Sequence, residues 1–175
     1  MTFPTLADLD FLPYIDSQGA IASDFDQKIG IYAIYDAAKT LCYIGYSRDF
    51  KKSLEQHLVR CPEQCQWFKL HPCDRPSRTI LEEIRTAWLA ENGTTPVGND
   101  TAEDLWTQPI DVKPGLTPEE KAEIEAAEDI KKSKLLKNHA RRVEAQIKEV
   151  LEARGLKTEI RFQPKIKDQG LLDLK

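Results

Sequence analysis

Gly30-Ile31-Tyr32-Ala33-Ile34-Tyr35-Asp36-Ala37-Ala38-Lys39-Thr40-Leu41-Cys42-Tyr43-Ile44-Gly45-Tyr46 decides the fold. Its two flanks, Ile29–Tyr35 and Leu41–Tyr46, are rich in β-branched and aromatic residues, and five mostly polar or small residues separate them. That pattern reads as two antiparallel strands joined by a hairpin connection. Downstream, Phe50, Leu54, Leu58 and Cys61 line one face of a helix near 48–60, with Ser47 as its cap and Asp49 in its first turn. Pro62 ends that helix. Gln66–Leu70 reads as a third strand closed by Pro72, and a second helix starts after Pro76, capped by Ser77, with Leu81, Ile84 and Trp88 as its core stripe and Asn92-Gly93 as its end. The expected class is α+β: a small mixed or antiparallel three-stranded sheet flanked by helices, with a C-terminal helix-plus-strand extension.

Upstream, residues 1–28 form a lead-in in which Leu6, Leu9, Phe11 and Leu12 pack on the domain. The domain itself runs over 29–99, followed by an irregular connection over 100–116 and a helical extension with an edge strand over 117–175. Thr117-Pro118-Glu119-Glu120 is a helix start with Thr at the cap and Pro in the first turn. The pattern predicts one helix from there to Arg154, with Leu136, Ala140, Val143, Ile147 and Val150 as its apolar seam. Leu156, Thr158, Ile160 and Phe162 alternate with charged residues like a half-buried strand, which Pro164 confines to an edge.

The chain has 175 residues, 41% of them hydrophobic and 31% charged, which excludes a wholly disordered polymer. A net charge of −4 argues against binding nucleic acid through one broad positive field. Residues 1–100 hold 10 Lys+Arg and 14 Asp+Glu, whereas 101–175 hold 15 of each. In that second part acidic residues precede basic ones, an order that complements a helix dipole. No apolar run is long enough to cross a bilayer, and the first residues carry no secretory pattern. Four cysteines in such a chain are expected to be reduced thiols, and the expected location is cytoplasmic.

Intact Gly30-Ile31-Tyr32 and Tyr43-Ile44-Gly45, ten residues apart on paired strands, resemble the signature of the GIY-YIG nuclease family, in a divergent form of the cyanobacterial and plastid type. The resemblance covers residues 29–99, a little under half of the chain. It implies Tyr32 as general base, Tyr43 as its assistant, His57 as the histidine on the first helix and Glu82 as ligand of Mg²⁺ or another divalent metal. The asparagine that closes the family's domain corresponds to Asn99. The family's first-helix arginine falls on Ser53, and the loss of one such preorganised donor typically costs about 10² to 10³ in rate. Arg48 lies about 140° away around the helix, and Lys52 lacks a bidentate fork.

The resulting expectation is a weak or catalytically degenerate nuclease-like module that binds nucleic acid through Arg48, Lys51, Lys52 and the 131–142 helix. An active metal-dependent endonuclease and a protein-interaction scaffold are its alternatives, so the partners expected are nucleic acid or protein, and no membrane. Glu82 has Arg78 and Arg85 within one turn, so intrahelical ion pairing is its competing role. Cys61, Cys65, His71 and Cys73 have metal-ligating chemistry but not the usual spacing of a zinc site, and free thiols are the expectation.

Overall fold

The lead-in is tied down by its own caps. Residues 2–175 are described in the computed structural model. Thr5 and Asp8 close a capping box over a short turn at Leu6–Asp8, and Leu12–Pro13 forms strand β1. Strands β2 (Gly30–Tyr35), β3 (Leu41–Ser47) and β4 (Trp67–Pro72) complete an antiparallel sheet of order β1-β4-β2-β3. The α+β class stands, but the sheet has four strands, not three. A two-residue strand shows no alternation to read, and its Pro13 is tolerated because β1 lies at the sheet edge.

Side chains alternate across the strands, so each face of β2 and β3 has its own helix. Ile31, Ala33 and Ile44 pack against Leu81, Ile84 and Trp88 of helix α2 (Arg78–Asn92) and against Leu6. The opposite face carries Tyr32, Ile34, Tyr43 and Gly45 and meets helix α1 (Phe50–Arg60), whose Phe50, Leu54, His57 and Leu58 are buried. Ser77 caps α2 as expected, and Gly93 ends it in the left-handed region at φ 85°. The cap of α1 is Asp49, which accepts from the Lys52 amide, not Ser47. The Ser47 hydroxyl is spent on Asp49 and Ser53 instead.

The lead-in is stitched to this framework by polar contacts. Glu91 accepts from the Leu6 and Ala7 amides, the Trp88 indole donates to the Pro4 carbonyl, and the buried Lys69 ammonium donates to the Leu6 carbonyl at 2.7 Å. Lys69 also lies 4.1 Å from the centre of the Phe11 ring, so its charge is met on two sides.

Two compact units divide the chain: one holds residues up to Thr107 with Leu156–Thr158, the other Gln108–Gly155 with Glu159–Lys175. The boundary falls inside the 100–116 connection, where a short helix α3 (Glu103–Thr107) belongs to the first unit and strand β5 (Ile110–Asp111) to the second. In the second unit β5 pairs with β6 (Leu171–Leu172). The single helix expected over 117–154 is two helices, α4 (Pro118–Ala126) and α5 (Asp129–Ala153), with Ala127 and Glu128 extended between them. An unbroken helix would set Glu125 beside Asp129 at i,i+4, and like charges at that spacing repel. Of the seam only Ala140 is buried; Leu136, Val143 and Ile147 are half-buried, Val150 is 45% exposed, and the buried Leu151 lies outside it. Ile160 and Phe162 are buried as the alternation implies, yet only one bridge, Phe162 to Leu174, forms there.

Candidate functional site

Hairpin register brings the chemistry together. Tyr32 stands opposite Gly45, and Tyr43 opposite Ile34, so both phenols rise from one face. A side chain at Gly45 would collide with both: an added Cβ would lie 2.9 Å from the Tyr32 hydroxyl and 3.0 Å from that of Tyr43. From α1, His57 reaches the Tyr32 hydroxyl with Nε2 at 2.7 Å. Burial raises the Tyr32 pKa well above its ordinary value, with a further rise from Tyr43 and an opposing pull from the Ser53 hydroxyl. Burial, reinforced by the Arg60 charge, pushes His57 down to about 3. Both partners are therefore neutral at physiological pH.

Ser53 extends this pair outward. Its hydroxyl lies 2.6 Å from that of Ser47, which donates to the Asp49 carbonyl at 2.9 Å, so Ser53 donates to Ser47. Ser47 in turn lines a cavity of about 340 Å³, with Ile29, Tyr46, Arg48, Pro76, Ser77 and Arg78 among its walls. Arg48 and Arg78 both line this cavity, which Tyr46 and Leu81 place on the sheet face opposite Tyr32 and His57. Position 53 holds a hydroxyl bonded to Ser47, not a charge.

Glu82 does not join Tyr32, Tyr43 and His57. It accepts from Tyr46 at 2.8 Å, and Tyr46, three residues from Tyr43 on one strand, leaves the opposite face of the sheet. Arg85 lies 3.6 Å away, the intrahelical pairing weighed from the sequence. The Glu82 carboxylate is thus engaged by a phenol and a guanidinium. Among the described residues no group of three or more His, Cys, Asp or Glu is placed to hold a metal. Arg48 is exposed on the cavity wall, whereas Lys51 and Lys52 are not among its walls.

Trp106, beside the site, is not singled out by the sequence, whereas Asn99 is. Trp106 stacks on Tyr43 at 5.4 Å with 5° between planes, and its carbonyl accepts from Arg60. Asn99 acts as a one-residue strand, its amide accepting from the Ile44 N–H at 2.7 Å and donating to the Ile44 carbonyl at 2.8 Å. It seals the outer edge of β3 beside the hairpin tyrosines.

No family model matches the chain. Among curated proteins it is similar to the bifunctional monothiol glutaredoxin-S16, chloroplastic, of Arabidopsis thaliana, with 26% identity over 124 residues. That match takes in 69% of this chain and 38% of the relative, so the chain spans well under half the length of the curated protein it matches. The GIY-YIG assignment drawn from the two tripeptides is corrected on this finding, because the matched protein carries a glutaredoxin's name. The nuclease-like function, nucleic-acid binding through Arg48, Lys51 and Lys52, and the endonuclease and scaffold alternatives are withdrawn with it. The relative's name also places it in the chloroplast, whereas the expectation here was cytoplasmic. No helix among the described residues is long and apolar enough to cross a membrane.

The four thiols are poor candidates for thiol exchange. Cys42, Cys61 and Cys65 are buried, and burial pushes Cys42 and Cys61 up to about 11. Cys73, half-buried at the end of β4, is also raised by burial. The attacking species in exchange is the thiolate, which this environment suppresses. An aromatic disulfide reagent should accordingly modify Cys73 alone in the folded chain, slowly, and the other three only after unfolding. Cys73→Ser should leave no thiol reacting in the folded state; a second one that does would overturn this reading of the burial.

Proposed function

We propose that this chain is a proton-handling module for a small anionic ligand, and that it serves a protein whose thiol chemistry lies outside Cys42, Cys61, Cys65 and Cys73. The observation that carries the first part is the buried Tyr32–His57 contact at 2.7 Å; a cavity walled by Arg48 and Arg78 lies near it, at Ser47. The second part is supported by the relative's printed name, which declares two functions and a glutaredoxin, and by the modest share of it that this chain matches.

In the free chain the pair is a poor acid and a poor base, since His57 and Tyr32 are displaced in opposite directions from neutrality. An anion between Arg48 and Arg78 changes that balance, because a nearby negative charge favours the protonated imidazole. A proton enters only when the Ser47 hydroxyl turns from the Asp49 carbonyl, and then passes by hydroxyl reorientation through Ser53 and Tyr32 to His57. Binding of the anion and uptake of a proton are then one event.

Titration calorimetry with inorganic phosphate, run in buffers of different ionisation enthalpy, measures that uptake directly. Phosphate should bind with proton uptake, and more tightly at pH 6 than at pH 8. Tyr32→Phe should break the relay and remove the uptake, while Arg48→Met and Arg78→Met should each weaken binding about tenfold, the effect of one charge-assisted hydrogen bond. Phosphate binding without proton uptake, or none at all, would sink the reading.

A further inference from the structure

A second histidine cluster lies in the other unit, and its hydrogen bonds have only one consistent arrangement. His139 of α5 is 7% exposed, and its Nε2 lies 2.8 Å from the Val112 carbonyl. A carbonyl can only accept, so Nε2 carries the hydrogen. The Arg142 Nη2 lies 2.7 Å from Nδ1, and a guanidinium can only donate, so Nδ1 is the bare nitrogen. Both contacts exist together only while the imidazole is neutral.

The same Arg142 nitrogen also donates to the Glu120 carboxylate of α4, whose Oε2 stands 4.0 Å from His139 Nδ1. Glu120 is no loose surface group. Its other oxygen accepts from the Thr117 amide, and its own amide donates to the Thr117 hydroxyl, closing the capping box that starts α4. One carboxylate therefore anchors the first turn of α4 and faces both basic groups of α5.

We propose that His139, Arg142 and Glu120 form a proton-operated latch that changes how the start of α4 is held on α5. One proton from solvent adds to Nδ1 and no covalent bond breaks. The lone pair that received Arg142 is then gone, and an imidazolium faces a guanidinium at 2.7 Å, a repulsive contact. Arg142 leaves, and the Glu120 oxygen closes its 4.0 Å gap to accept from the new N–H, drawing the Thr117–Glu120 turn with it. Among the charged groups on the neighbouring elements, Lys113 is bonded to Asp111 and the Gln169 carbonyl, and Lys167 to Glu144. The Arg142 hydrogen bond holds the Glu120 carboxyl below its ordinary value.

Nuclear magnetic resonance of the full chain across pH 5 to 8 tests the latch. The Thr117, Glu120 and Lys121 amides should shift with the same midpoint as the His139 ring. Protection of the Thr117 amide, which donates to the Glu120 carboxylate, should fall about tenfold below that midpoint, as expected for loss of one hydrogen bond to a charged group. His139→Gln keeps a donor for Val112 but cannot take the proton, and should abolish the coupled shift. Glu120→Gln leaves His139 titrating and should silence α4. Amides of α4 that ignore the His139 midpoint in the wild-type chain, or that keep their response in Glu120→Gln, would overturn the proposal even if His139→Gln failed to fold.

Discussion

Gly30→Ala should lower the melting temperature of the first unit by about 6–12 °C, which is about 3 kcal/mol at the usual conversion for a chain of this length. An added Cβ would stand 2.2 Å from the His71 carbonyl oxygen, 2.8 Å from the Phe50 ring and 3.0 Å from the Pro72 Cα. The phenyl ring can turn aside. The carbonyl cannot, because Gly30 and Ile31 pair with Pro72 and His71, and the next amide, of Cys73, is bonded to the Ile29 carbonyl at 2.8 Å. Relief therefore requires β4 to peel from β2 at the end where Tyr32 is positioned. Gly93→Ala is the control: its φ is 85° but nothing lies within 4 Å, so its cost is confined to about 1 kcal/mol of left-handed backbone. Tryptophan fluorescence reads the comparison cleanly, since Trp67, Trp88 and Trp106 all lie in the first unit. Equal melting points for the two variants would show that the strands yield to a methyl group, and the close-approach argument would fail.

The hairpin was legible because turn length fixes register, and register fixes which side chains share a face. Tyr32 and Tyr43 could be placed together on that ground alone, and His57 follows Leu54 by three residues on the helix that covers the same face. Glu82 could not be placed so. Its partner Tyr46 lies three positions from Tyr43 along the strand and points away, but which helix covers which face depends on long-range packing that periodicity does not encode. Trp106 sits in a five-residue helix inside a polar connection, too short for any period to show. The break before Asp129 is not legible because the cap, the seam and the dipole-matched order of charges all fit a single helix. The functional assignment rested on two tripeptides whose glycines and tyrosines are also what close hairpin packing asks for: Gly30 and Gly45 each admit a neighbour that a side chain would exclude. Such a pattern constrains a local fold more tightly than it constrains an activity.

Acid should weaken the wild-type chain more than His57→Gln, with the difference opening between pH 7.5 and pH 5. The folded-state pKa of His57 is about 3, below its ordinary 6.5. Above 6.5 the imidazole is neutral in both states and contributes no pH dependence. As pH falls from 6.5 towards 3, the unfolded chain binds a proton that the folded chain refuses, so stability drops by about 1.4 kcal/mol per pH unit in the limit. By pH 5 the wild type should have lost about 2 kcal/mol relative to His57→Gln, whose amide can still meet the Tyr32 hydroxyl but takes no proton. Urea titrations followed by tryptophan fluorescence at the two pH values measure the difference directly. Parallel curves would mean that His57 is protonated inside the fold without cost, and the neutral pair would have to be abandoned. Phosphate supplies the complementary arm: an anion held by Arg48 and Arg78 stabilises the imidazolium, so saturating phosphate should shrink the acid penalty in the wild type and leave His57→Gln unchanged. Burial that makes His57 a reluctant base in the free chain is thus what would let a bound anion, and not bulk pH, decide when it carries a proton.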